Sequence, residues 1–493
     1  MKYKYSLALM LVVLAQISCQ KDFLERSPSG KLVFDQYFKT SDDAVMATNA
    51  VYNQFRSFDC VGLGYIGITD IISDDADKGS TPNDQPPAAE VDNFTFDASN
   101  SYFAAAYRGY YQAIARANVA IENIPAIEMD ATLKNRLVGE CKFMRAFSYL
   151  LLVQWFGDLA LVTKVLNADE YYGQARQPKE VIYAQIEADL KDAIEALPEK
   201  DGYAPNDLGR ATKGAAKGML AKLYMVKKDF VNAEKYCLEI INSTKYDLLP
   251  RYADNFLLTG ENGMESVFEI QAAALPTQQA AGQGASPYNM VQGVRGVPNL
   301  GWGFNRPSDN LVSAYENGDV RREATILYVG EVLPDGSAQV QDNPEIVGER
   351  FNQKAWVPNH PGLQDNGPGN IRIIRYADVL LLAAEALNEN NKPTEALVYL
   401  NKIRKRARGT STFFLPDVTT TVKDDLREKI YKERRVELAM EQQRWFDLLR
   451  WGRAQTVMTA VGKPFIANKH ELMPIPQTEV DLTDGKIVQN KGY

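Results

Sequence analysis

Two segments of this chain place alanines twelve residues apart inside helical patterns, and that interval constrains the scaffold more than any other feature. In KGMLAKLYMVKKDFVNAEKYCLEII, Ala221 and Ala233 hold the interval, with Leu220, Tyr224 and Cys237 around them. In LLLAAEALNENNKPTEALVYLNKIR, Ala384 and Ala396 repeat it, with Ala383, Leu387 and Leu400 in the same places. Small residues so placed let two antiparallel helices cross closely, and a short turn joins them at Lys227 to Asp229 or Asn390 to Lys392. Tandem copies would recur at about 34 residues. These units lie about 160 apart, so the helix pairs frame inserted material rather than forming a simple solenoid.

The fold class that follows is mainly α: a scaffold of tetratricopeptide-like helix pairs carrying a loop-rich, irregular, ligand-binding insert. Further helices are expected from Ser41, with Ser41 as N-cap and Ala44, Ala47, Ala50, Val51 and Phe55 at three-to-four spacing, and over Tyr102 to Ile124, Leu133 to Phe156 and Pro178 to Leu197. Gly157 reads as the stop of the third of these. The scaffold then covers about 31–245 and 370–460. Between them, about 246–369, the helical period weakens and Gly, Pro, Asn and Gln dominate, as in QQAAGQGASPYNMVQGVRGVPNLGWGFNRPSDN. A second loop region is expected over Gly62 to Ala98. Long irregular segments in a compact domain are commonly binding surfaces.

EKIYKERRVELAMEQQRWFDLLRWGRA, Glu428 to Ala454, reads as one long helix. Glu433, Glu437 and Glu441 recur at i,i+4 on one face, with Arg434, Arg435, Arg444, Arg450 and Arg453 as cations within reach of them or of neighbouring elements. Pairing within the segment is the reading taken forward, with Trp445 and Trp451 as core anchors. No nucleophile accompanies them, so the segment is read as structural.

A formal charge of −8 and an isoelectric point near 5.2 disfavour nucleic acid as a partner. Residues 1–18 hold Lys2, Lys4 and no acid, so their removal takes the charge to −10. They read as an export signal, with Leu7 to Ala15 too short to span a bilayer. Gln16-Ile17-Ser18-Cys19 resembles a bacterial lipobox, which makes Cys19 the lipidated first residue and residues 19–30 its tether. Cys141 and Cys237 read as buried hydrophobes. His360 and His470, the only histidines, stand outside any zinc-ligand spacing, so no metal and no cofactor is expected. Asp74, Asp75 and Asp77 lack the EF-hand pattern, and no facing carboxylate pair marks a glycosidase.

A sugar site needs flat apolar faces for ring C–H groups and planar polar groups for hydroxyls. The two loop regions hold both. Aromatic candidates are Tyr65, Tyr102, Tyr288, Trp302, Phe304 and Trp356; polar ones are Asp70, Asp74, Asn83, Asn289, Asn299, Asn305 and Arg306. The set taken forward is Trp302, Tyr288, Tyr65, Asp74, Asn83, Asn305, Arg306 and Trp356. Trp302 leads it, because Gly301 and Gly303 free the backbone to expose a large ring.

Several blocks in order resemble the SusD/RagB family of outer-membrane nutrient-binding lipoproteins: YYQAIARANVAIENIP, GECKFMRAFSYLLLVQWFGDLALV, RPSDNLVSAYENGDVRREATI, NIRIIRYADVLLLAAEALNE, the Glu428 to Ala454 segment and the LMPIPQTEVDL end. The resemblance implies four tetratricopeptide-like helix pairs, of which two match those above. It also implies a place on the outer face of the outer membrane and capture of oligosaccharides, without catalysis, for a SusC-like TonB-dependent transporter. Two alternatives remain: a structural lid with peptide or other non-sugar cargo, and a secreted glycoside hydrolase. Ligand residues do not transfer, since relatives often carry tryptophan where this chain has Tyr102, Phe103 and Tyr107.

Overall fold

The computed structural model describes residues 37–274, 284–346, 348–358, 366–483 and 485–493. The export signal, Cys19 with its tether, and His360 lie outside them. Among the described residues, helices α1 (Ser41–Phe55), α2 (Ser101–Asn123), α3 (Ala131–Phe156) and α4 (Lys179–Ala196) pack one on the next. The cap of α1 is Thr40 rather than Ser41. Its hydroxyl accepts from the Asp43 amide at 3.3 Å, and the Asp43 carboxylate accepts from the Thr40 amide at 2.8 Å, a reciprocal pair that serine one residue later could not complete. Gly157 ends α3 at φ +74°, where a side chain would be strained.

Both alanine-spaced pairs form as expected: α5 (Lys213–Val226) with α6 (Phe230–Asn242), and α7 (Tyr376–Glu389) with α8 (Pro393–Arg408). Ala221, Ala233, Ala384 and Ala396 are each 0 % exposed, as a close helix crossing requires. Distant in sequence, the pairs are neighbours in space, because α6 packs on α7. Asn390 Nδ2 donates to Phe230 O at 3.0 Å, and Lys392 meets Glu234.

The continuous helix expected over Glu428 to Ala454 is broken. The chain instead forms α9 (Lys423–Leu438), α10 (Arg444–Arg450) and α11 (Ala454–Ala460). Met440 and Gln442 adopt φ of +62° and +57°, costly for non-glycine residues. The turn drives Gln442 inward, where its amide and Nε2 donate to Asp70 at 3.1 and 2.6 Å. These bonds hold the strained backbone.

The two regions expected as loops are more ordered than their composition suggests. Gly62 to Ala98 contains a buried turn of helix, Leu63–Ile66, running into a π-helix, Gly67–Ile71. Gly64 and Gly67 permit this, since a Cβ on Gly67 would meet the Tyr102 ring at 2.8 Å. Short antiparallel pairs tie the insert to the scaffold. Strand β1 (Ala76–Gly79) and strand β2 (Ser266–Ile270) await partners across the insert, which contributes β3 (Phe304–Pro307), β4 (Ile326–Tyr328) and β5 (Arg350–Asn352) before β6 (Ile371–Arg375). The pairs are β1 with β3, β2 with β6, and β4 with β5. The insert also has its own apolar cluster of Val294, Leu327, Leu333, Val340, Phe351 and Trp356. Among the described residues, no helix is long and apolar enough to cross a membrane.

Candidate functional site

The most charged part of the molecule is not its surface but the ground around α9. Glu437, fully buried, accepts from Arg406 at 2.6 Å, Arg375 at 3.1 Å and Arg321 at 3.2 Å. Glu433 accepts from Arg321 at 2.7 Å and Arg404 at 2.6 Å, and Glu441 from Lys354 and Arg375, both at 2.7 Å. Burial alone would raise the Glu437 carboxyl, yet the surrounding Arg406, Arg375 and Arg321 hold it down at about 2. The expectation that acids and arginines of this segment pair mainly with each other is corrected. Glu433 and Glu437 face the same way from one helix, so their cations come from other elements. Arg434 reaches Asp378 and Asp447, Arg435 reaches Asp74 and Asp75, and Arg444 takes Asp74 at 2.7 Å. Trp445 is in the core, whereas Trp451 is half-buried and stacks on Tyr431 with ring centroids 3.7 Å apart. Each of these acids pairs with at least one cation, while Asp75 Oδ2 and Arg406 Nε are buried without a hydrogen-bond partner among the described residues.

That network claims several residues expected to line the ligand surface, and those expectations are revised. Asp74 is 3 % exposed and clamped by Arg444 and Arg435. Tyr65 is buried edge-on against Trp155. Tyr288 is buried, with its hydroxyl on Gln442 Oε1 at 3.0 Å. Asn305 is fully buried and donates to Asp70 at 3.0 Å and to Gln292 at 2.7 Å. Trp356 fills the insert's own core. In each case hydrophobic area or a buried polar partner keeps the group inside. Asp70, at the centre of this polar knot, is pushed up to about 6 by burial, with the Asn305 and Gln442 bonds opposing the rise. His470 is also buried, and burial lowers it to about 4. Arg306 is half-buried and pairs with Asp77.

Trp302 and Asn83 remain at the surface. Asn83 is exposed on the turn after β1, and Trp302 is half-buried. The glycines beside Trp302 act through close approach: a Cβ on Gly301 would meet Met290 O at 2.4 Å, and Gly303 lies at φ +74°. Trp302 N donates to Met290 O at 2.7 Å and Gly303 N to Gly293 O at 2.9 Å, closing the loop that lifts the ring. Its neighbour is Phe58, which sequence reasoning missed. Phe58 is 46 % exposed and its ring centroid lies 6.3 Å from that of Trp302. The signal available was weak, a single aromatic in the turn after α1. Ser80 N donates to Gly303 O at 2.7 Å, and Arg295 joins Asp84 and Ser80, so the Asn83 turn is fastened to the Trp302 loop.

From Phe58 an open trough of about 1020 Å³ runs past Asn53, Arg56, Arg116, Gln271 and Asn366. Phe58, exposed at the edge of an amide-lined and guanidinium-lined trough with the half-buried Trp302 beside it, offers a ring face and hydroxyl partners side by side. Free cysteines Cys60, Cys141 and Cys237 are buried and none of them lines it. Among the described residues no cluster of His, Cys, Asp and Glu is arranged to hold a metal ion.

Comparison with known proteins fits this architecture. The SusD family profile matches residues 264–493, and a profile described as starch-binding associating with outer membrane matches residues 72–225. The SusD-like protein P2 of Formosa agariphila is 29 % identical over 99 % of this chain and 100 % of its own. A SusD-like protein of Bacteroides ovatus is 27 % identical over 88 % of this chain and 80 % of its own. Among solved structures, a laminarin binding SusD-like protein superposes with a TM-score of 0.78 at 28 % identity, covering 92 % of this chain and all of that one. Surface glycan-binding protein A from Bacteroides fluxus gives 0.77 at 25 % identity, with the same coverage. The chain belongs to the SusD/RagB family, whose members have a helical, tetratricopeptide-like fold.

Proposed function

We propose that this protein is a cell-surface glycan-binding lipoprotein, anchored to the outer membrane through Cys19, that captures oligosaccharides and passes them to a SusC-like TonB-dependent transporter. The observation that carries the reading is exposed Phe58 at the edge of an amide-lined trough, with the half-buried Trp302 ring beside it. Flat aromatic faces supply area for sugar rings at low conformational cost, and amides orient hydroxyls. The names of the relatives support it, since similar proteins are described as binding laminarin and glycans. Trp302, Asn83 and Phe58 are the proposed contacts. Among the described residues that line the trough there is no carboxylate, and the reading is binding without hydrolysis.

Calorimetric titration of the soluble mature domain with plant, host and microbial oligosaccharides tests it. Binding that weakens about tenfold or more in Trp302→Ala, with an unchanged melting temperature, is expected from loss of one stacking face. Absence of binding to every glycan would favour a structural lid with non-sugar cargo, and release of shortened products would favour a hydrolase.

A further inference from the structure

The described side chains lining the trough carry two formal charges, both positive, on a protein whose formal net charge is −8. They belong to Arg56 and Arg116, and neither makes an ion pair with a described residue. Arg56 Nη1 donates to Gly284 O and Nη2 to Asn53 Oδ1; Arg116 Nη1 donates to Ala50 O at 2.9 Å. Their surroundings differ from those of arginines close by. Arg108 takes Asp59 with two bonds of 2.8 Å, Arg210 takes Asp207 and Glu140 at 2.7 and 3.0 Å, and Arg295 takes Asp84. Among the described residues, carboxylates thus pair with the neighbouring guanidinium groups, and none pairs with Arg56 or Arg116.

Arg56 is half-buried, and that burial lowers its proton affinity with no carboxylate to offset it. A planar guanidinium left in this condition in the same trough as the exposed Phe58 ring is suited to bidentate capture of an oxyanion. We infer that the trough takes an anionic oligosaccharide, one bearing carboxylate or sulfate groups, with Arg56 and Arg116 reading the charge while Phe58 and Trp302 hold the ring faces. The inference rests on the glycan-binding reading above and narrows its ligand class. Asn53 fits the same role. Its carbonyl oxygen is occupied by Arg56, so its NH2 group is left to donate to a ring or acid oxygen.

The test titrates the mature protein with four hexasaccharide probes: oligogalacturonate for carboxylate, sulfated galactan for sulfate, and malto- and laminari-oligosaccharides as neutral controls. Binding of an acidic probe should weaken with rising salt and fall about tenfold or more in each of Arg56→Ala and Arg116→Ala, as charge-assisted hydrogen bonds are lost. Whichever acidic probe binds tells carboxylate from sulfate. Arg116 is exposed and outside the core, so its variant stays informative if Arg56→Ala unsettles the 284 loop. Trp302-dependent binding of a neutral probe alone, unchanged by either arginine variant, would overturn the inference and leave the glycan reading intact. Failure of all four probes to bind would overturn both.

Discussion

At the scale of single residues, burial separates look-alike side chains. Asp74 and Asn83 lie nine positions apart in the same polar stretch, yet one is clamped by two arginines and the other faces solvent. Sequence composition could not tell them apart, because the arginines that claim Asp74 come from more than 350 residues away. Trp302 was legible through its flanking glycines, whereas Phe58 was not, since nothing local marks a ring left exposed by a partner loop. Glu437 is the acid whose loss should matter most. Glu437→Ala is expected to cost about 3 to 5 kcal/mol, because Arg321, Arg375 and Arg406 would be left buried around an empty position; the midpoint of urea unfolding measures it. The pH dependence has a definite sign. The folded carboxyl is depressed from 4.5 to about 2, so its contribution is fully present above about pH 4.5 and lost as pH falls through about 2. Acid titration of stability should therefore show a steeper loss in that window for the native protein than for Glu437→Gln. Equal slopes would place the stabilising charge elsewhere.

At the scale of elements, the alanine interval was a sound guide because a close helix crossing depends on a few small side chains at fixed positions. Ala233, fully buried where α5 and α6 cross, should tolerate no enlargement. Ala233→Leu is expected to destabilise by about 1 to 3 kcal/mol through overpacking, read as a fall in melting temperature. The turns of the two pairs share a left-handed residue, Lys228 at φ +58° and Asn391 at φ +62°. Asparagine is suited to that region and lysine is not. Lys228 is exposed, so Lys228→Gly should raise stability by up to about 1 kcal/mol, while Asn391→Gly should change it little. The α9–α10 break was invisible for the opposite reason. Helical propensity continues through Glu441 and Gln442, and only their distant partners Arg375, Lys354 and Asp70 turn the chain. Likewise Leu63 to Ile72 reads as a glycine-interrupted loop until Tyr102 is seen packed against Gly67.

At the scale of the whole molecule, the helical scaffold and the insert divide the work. The scaffold and the buried ion network centred on α9 hold the shape; β1–β3 and the Arg295–Asp84 contact fasten the Trp302 loop to it, and Phe58 stands beside that loop on the short helix Phe58–Val61. The charge-rich segment that most clearly marks the family is therefore a buried ion network, and the proposed binding surface is carried by residues with little sequence signature. Hydrogen exchange of the full mature chain, with and without a glycan that it binds, tests this division most directly because it reports every segment at once. Protection should rise over 53–60 and 284–303 and stay unchanged over 423–450. Protection centred on 423–450, with the Phe58 and Trp302 segments unaffected, would contradict the account.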